Sequence, residues 1–380
     1  MVMSAFLYDF LLVLMTLLLF FSGWLISKRI VSYWQGACVG ILAYTVNVGL
    51  RFGRGIDYNL YVDIYNMVSR GFDSDHEPLF VFSIKLVSFL GGTWPVFVFL
   101  LSFLFILSVF IFMQNYWRYS VYCLPILPFF AMFAENIMRQ TMGLSFLLIG
   151  LYYLLRKHPS YFLYFVFSIL GILCHSVILI FSVIFFVVYL RKQILMPPKY
   201  SIPVFFLLVL LFRTEYLTFF MSLFVSMMIG DHYAQYAENA DLWLQKGFSE
   251  SVSFTVTELY VFVIYYGYKI QPFFGRRYSF IYNLFFIGFL LYPISVKVEL
   301  VSRLGIVFEM FIFIILGCMF YYFINYKRMY SHMLSFGLLC LFTLNLLRVY
   351  LVTPFQFPVQ YLYLWDANGR EKIETSEFKE

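Results

Sequence analysis

Apolar runs close to 20 residues long recur from one end of the chain to the other, broken by short polar stretches in which Lys and Arg gather. A run of that length matches the roughly 20 residues an α-helix needs to cross about 30 Å of hydrocarbon. Inside lipid, only helices and closed barrels satisfy every backbone N–H and C=O. Stretches such as 11–21 and 97–112 lack the polar–apolar alternation of a barrel strand, which excludes that solution. Only 12% of the residues are charged, against about 25% in soluble domains. The chain therefore reads as an all-α polytopic membrane protein, a single domain over residues 1–354 with about 12 transmembrane helices.

Basic clusters orient such helices, because Lys and Arg are retained on the cytoplasmic side. Placing Lys28-Arg29, Arg118, Arg156-Lys157, 191–199, 269–277 and Lys327-Arg328 inside collects 13 of the 26 basic residues and none of the 20 acidic ones. Acidic residues play little part in orientation, so their absence checks the layout independently. The expected spans are 5–27, 34–50, 94–113, 121–135, 137–155, 161–175, 176–190, 201–212, 252–268, 278–294, 304–324 and 331–350. The first is expected as a retained span with its N-terminus outside, since its basic residues follow the apolar run. Residues 79–92, short and close to Gly91-Gly92 and Pro95, are expected as a re-entrant or tilted segment. Two outer loops follow, 51–78 and 213–251, the second with an interfacial amphipathic helix over 217–229 ahead of an acidic stretch. The tail 355–380 is expected on the extracytoplasmic side and carries no motif.

The net charge of +6 is distributed as orienting clusters, which argues against nucleic-acid binding. The five cysteines include no CxxC pair, so neither a disulfide framework nor a zinc site is indicated. No Walker loop, GxGxxG, HExxH or GxSxG is present, and no cofactor or metal is expected. The three-letter Asp73-Ser-Asp75 fits a solvated turn better than a metal site.

Charge at membrane depth is costly, about 2.5–3.5 kcal/mol per residue at a helix centre, so its presence there points to function. In 51–78, Arg51 and Arg54 are placed to clamp a diphosphate through forked hydrogen bonds, or to anchor a span in headgroups. Asp57 either contacts a sugar hydroxyl or caps a helix whose Leu60, Ile64 and Met67 form an apolar stripe. Tyr61 and Tyr65 follow on a neighbouring face and offer flat rings to a sugar. Glu77, before Pro78, is a candidate general base, with helix-dipole stabilisation as the competing reading. Glu135 and Arg139 are spaced i,i+4, as are Glu299 and Arg303, so each pair is read either as an intrahelical ion pair or as part of a charged cavity. Gln140 adds a donor and an acceptor beside Arg139. His175 is a candidate proton shuttle or phosphate ligand, or else a structural histidine.

Arg51-x-Gly53-x-Gly55-x-Asp57-Tyr58 with Tyr61 and Tyr65, then Glu77-Pro78-Leu79-Phe80, Asn136-x-x-Arg139-Gln140, His175-Ser176 and a late Arg303-Leu304 occur in an order that resembles the EpsG-like family. This family is related in role to the Wzy O-antigen polymerases. The resemblance covers roughly 50–180 and one later point. It implies a glycosyltransferase of the bacterial inner membrane that joins oligosaccharide repeat units on the outer face. Donor and acceptor would both be carried on undecaprenyl diphosphate, and a flippase and a chain-length regulator are implied as partners. Arg51, Arg54, Arg139 and Arg303 would stabilise the departing diphosphate, and Glu77, Asp57 or His175 would take the acceptor proton, with Glu77 favoured. The rival readings are a glycosyltransferase using a polyprenyl-phosphate sugar and a flippase or exporter that performs no chemistry.

Overall fold

A computed structural model of the chain describes residues 2–53, 55, 57–191, 193–211, 254–296 and 299–325, with isolated positions between 333 and 341. The expected span 331–350, the loop 213–251 and the tail 355–380 lie mostly or wholly outside these residues. Among the described residues the chain is helical, with no β-strand. Four stretches are long and apolar enough to cross a membrane: Phe10–Ser27, Trp94–Phe130, Val256–Ser295 and Val301–Asn325. Pro78–Phe89, Tyr161–Ile172, Ile178–Leu190 and Pro198–Leu211 are apolar but shorter. The chain divides into two compact units, Met1–Phe186 with Leu346–Glu380, and Val187–Asn345.

The first unit begins with α1 (Val2–Ser27) and α2 (Tyr33–Gly49), which pack together. Ser32 starts α2 with a capping box: its side chain accepts the Gln35 N–H while the Gln35 side chain accepts the Ser32 N–H. Next come α3 (Tyr58–Ser69), α4 (Pro78–Phe89) and α5 (Trp94–Met113), the last two each with Pro in the first turn, where a missing N–H is harmless. α3 turns Tyr58, Tyr61, Ile64, Tyr65 and Val68 inward, while Leu60 and Met67 of the expected apolar stripe are 58% and 38% exposed. Aromatic packing decides the register: Tyr58 and Tyr65 close on Trp94, and Tyr61 on Phe80.

The expected span 121–135 is not a single helix. Pro125 and Pro128 divide it into α6 (Ser120–Cys123), α7 (Leu127–Phe130) and 3₁₀ turns over 124–126 and 132–135. Regular helix resumes as α8 (Met138–Leu154), which packs against α5 and against α9 (Tyr161–Ile172). The α8–α9 crossing rests on two glycines. A Cβ on Gly143 would stand 2.8 Å from the Gly171 carbonyl oxygen, and a Cβ on Gly171 would stand 2.8 Å from the Gly143 oxygen. Only small residues permit this approach of backbones. α10 (Ile178–Leu190) then leads out of the first unit.

In the second unit, α11 (Pro198–Leu211) packs on α12 (Phe254–Ser295). α12 holds the two expected spans 252–268 and 278–294 as two helical arms that meet at Gly275, whose backbone (φ 71°, ψ −160°) is not helical. Its two arms are tied where Tyr278 and Tyr282 donate to the Gly267 and Ile264 carbonyls. α13 (Glu299–Glu309) and α14 (Ile312–Asn325) divide the expected span 304–324 near Met310.

Gly171→Leu is expected to force α8 and α9 apart at an overpacking cost of about 1–3 kcal/mol. Thermal unfolding of the purified protein in detergent checks this, with Gly150→Ala, where the nearest neighbour stands at a looser 3.2 Å, expected to cost less.

Candidate functional site

The α8–α9 crossing brings two chain turns together. Gly143 lies one helical turn beyond Arg139 on α8, and Gly171 ends α9 by accepting the Cys174 and His175 N–H groups. The turn carrying His175 and Ser176 is therefore held next to the first turn of α8. α4 joins them because the Leu79 N–H donates to the Leu173 carbonyl at 2.9 Å, which places Glu77, the residue before α4, between the other two.

Glu77 Oε2 lies 2.9 Å from Arg139 Nη1. Its other oxygen, Oε1, accepts the Ser176 N–H at 3.1 Å and lies 3.4 Å from His175 Nδ1. His175 Nδ1 also faces the Val177 N–H at 3.3 Å, which requires a lone pair on that nitrogen. Arg139 Nη1 is shared with His76 Nδ1 at 3.2 Å. An arginine has no acceptor, so a hydrogen bond between the two runs from the guanidinium to the imidazole nitrogen. The side chains of Glu77, Arg139 and His175 are 18%, 27% and 20% exposed, so the cluster opens to a ligand rather than lying sealed in the core.

Burial pushes the Glu77 carboxyl up, but the Arg139 guanidinium, the backbone N–H groups of Glu77 and Ser176, and His175 together outweigh it and hold Glu77 below its ordinary value. Tyr61 lies beside Arg139. Burial pushes its phenol up, and the guanidinium offsets only part of that rise. Gln140, next on α8, is buried.

The sequence pairing of Arg139 with Glu135 does not form on one helix. Residues 132–135 are a 3₁₀ turn, Ile137 breaks the backbone (ψ 64°), and α8 starts at Met138, so Arg139 turns to Glu77. The break is held from the 51–57 loop. The Asp57 N–H donates to Asn136 Oδ1 at 2.8 Å, and Gly55 (φ 114°) sits so close to the Glu135 carbonyl that a Cβ would stand 2.8 Å from its oxygen. Asp57 is the N-cap residue of α3, with no capping bond from its side chain.

Arg51 is 1% exposed, and its guanidinium donates to the Val48 carbonyl (2.7 Å), Ser102 Oγ (3.3 Å) and the Glu135 carbonyl (3.3 Å). Its donors thus hold the end of α2, the side of α5 and the break before α8 together. Tyr65 is enclosed by Trp94 and Phe97, with its hydroxyl donating to the Gly92 carbonyl at 2.9 Å. Packing thus occupies both the Arg51 donors and the Tyr65 ring, which the sequence reading offered to a ligand. Arg54 lies outside the described residues. Arg303 is half-buried on α13 in the second unit, and the Glu299 side chain lies outside the described ones. Asp73 and Asp75 are exposed between α3 and α4. His76 was missed by sequence reasoning, although its place beside Glu77 was the available signal.

The family model described as the EpsG family matches residues 34–362. No curated protein and no solved structure matches the chain.

A carboxyl held low in the folded chain stabilises the fold in full above its unfolded value and loses that contribution as pH falls through the folded one. The stability difference between the protein and Glu77→Gln is therefore expected to be largest near neutrality and to shrink as pH falls below the ordinary glutamate value of 4.5, read by thermal unfolding in detergent. Arg51→Met orphans buried acceptors and is expected to cost at least about 2 kcal/mol in the same assay, with Arg51→Lys recovering part of it.

Proposed function

The chain belongs to the EpsG family, and from that premise we propose that it is a membrane glycosyltransferase that polymerises lipid-linked oligosaccharide repeat units. The observation that carries this reading is the convergence of Glu77, Arg139 and His175 from three chain segments onto one partly open corner. The substrate class that suits it is a glycan on a polyprenyl diphosphate. The diphosphate needs a cation when it leaves, and the incoming sugar needs a base.

In the reaction, an acceptor hydroxyl of the incoming unit attacks the anomeric carbon of the growing chain. The bond from that carbon to the diphosphate oxygen breaks, and the lipid diphosphate departs with the electron pair. Glu77 takes the hydroxyl proton, and Arg139 meets the negative charge gathering on the leaving group. Tyr61, buried beside Arg139, positions the guanidinium, with Gln140 next to it on α8. Asp57, at the start of α3, contacts a sugar hydroxyl, while His175 receives the proton from Glu77 through the adjoining Nδ1. The charge layout of the loops supports an outer-face site on the cytoplasmic membrane, where a flippase would deliver the substrate and a chain-length regulator would limit the product.

A deletion strain is expected to accumulate single repeat units on the carrier or capped surface lipid, and plasmid-borne protein to restore long chains, read on a gel of surface glycan. Units trapped on the cytoplasmic side would instead identify a flippase. Arg139→Ala is expected to stop chain extension while the protein stays in the membrane. Glu77→Gln is expected to slow it by about 10²-fold or more; normal chain lengths in both variants would remove the proposed centre.

A further inference from the structure

We propose that the Arg139–Glu77 ion pair is the closed form of the site, opened by exchange: an incoming diphosphate replaces the Glu77 carboxylate on Arg139 and so releases Glu77 only where substrate is bound. This rests on the polymerase reading and adds how the base is kept inactive until it is needed.

The geometry separates the two oxygens of Glu77 by task. Oε1 is fixed to the backbone through the Ser176 N–H at 3.1 Å, whereas Oε2 is held at 2.9 Å by a side chain alone. Losing Arg139 would therefore free one oxygen without releasing the carboxylate from the site. The arginine is prepared for the exchange as well. His76 Nδ1 already shares Nη1 at 3.2 Å, so the guanidinium keeps an acceptor as Glu77 leaves. Arg139 Nε is buried and unpaired in this closed form, a donor that gains a partner when the guanidinium shifts onto a further anionic oxygen. A diphosphate offers several such oxygens and more charge than a carboxylate, and planar guanidinium groups bind phosphate through paired, charge-assisted bonds. A carboxylate holding an arginine is a poor base, because taking a proton costs it the ion pair. Once phosphate has taken the arginine, that cost is gone and the nearby negative charge favours proton uptake.

The shared chemistry is a diphosphate anion, whether free or at the head of a lipid. The full-length protein in phosphatidylcholine nanodiscs would be titrated calorimetrically with inorganic pyrophosphate and, separately, with farnesyl diphosphate. Glu77→Gln is expected to bind both about tenfold more tightly than the unaltered protein, equivalent to about 1.4 kcal/mol, although it turns over more slowly. Glu77→Ala, a second way to remove the competitor, should show the same gain, with thermal unfolding of each variant confirming the fold. Asp75→Asn removes an exposed carboxylate two positions away that makes no ion pair with Arg139 and is expected to change affinity less than twofold. Equal tightening by Asp75→Asn would reduce the effect to general charge and overturn the exchange. Unchanged or weaker binding in both Glu77 variants would overturn it too, leaving the anion site itself standing. If neither probe binds any form of the protein, the polymerase reading of this corner falls, and the exchange with it. Gain with farnesyl diphosphate alone would assign the exchange to lipid-borne diphosphate, and equal gain with both probes to the diphosphate group itself.

Discussion

At the α8–α9 crossing the backbones of Gly143 and Gly171 approach so closely that a Cβ on either would press on the other's carbonyl oxygen. Membrane helices gain little from burying apolar surface against one another, since lipid is equally apolar, so close packing and hydrogen bonds carry their association. Here that packing sets function as well. Arg139 lies one turn from one glycine and the His175 turn hangs from the other, so the separation of cation and imidazole is inherited from a backbone contact. The Leu79–Leu173 hydrogen bond then adds α4, and Glu77 with it. The site is a by-product of how three helix ends are tied.

Arg51 and Arg139 show how surroundings divide one residue type between two tasks. Arg51 is enclosed and spends its donors on two carbonyls and a hydroxyl, closing the end of α2 onto the irregular stretch before α8. Arg139 is partly open and its partners are side chains, which can move. A buried charge with rigid acceptors is a fastener, and a half-open one with mobile partners is equipped for ligand exchange. The two are connected, because the stretch that Arg51 fastens ends two residues before the helix that carries Arg139.

Much of this was legible in the residue pattern. Apolar runs marked α1, α2, α5, α8, α9, α10 and α11 to within a few residues, because helix in lipid follows directly from apolar length. Residues 79–92, expected to be short, form the 12-residue α4. Membership of the EpsG family was also recognisable from ordered motifs. What sequence spacing missed depends on tertiary contact. The i,i+4 relation of Glu135 to Arg139 presumed a continuous helix, yet the backbone breaks at Asn136–Ile137, where Asp57 and Gly55 press on it from far along the chain. The burial of Arg51 has the same origin: Ser102 and Glu135 reach it only once α5 and the break are in place. For α3, apolar spacing suggested the Leu60 stripe, but ring packing against Trp94 selects the tyrosines.

Twelve residues of helix measure about 18 Å, little more than half of a hydrocarbon layer about 30 Å thick. α4 by itself is therefore shorter than that layer. Its outward Phe82, Leu86 and Phe89, with Leu90 just beyond, present an apolar face, while its leading end is moored to Leu173. Whatever tilts α4 also moves Glu77, which sits at its moored end.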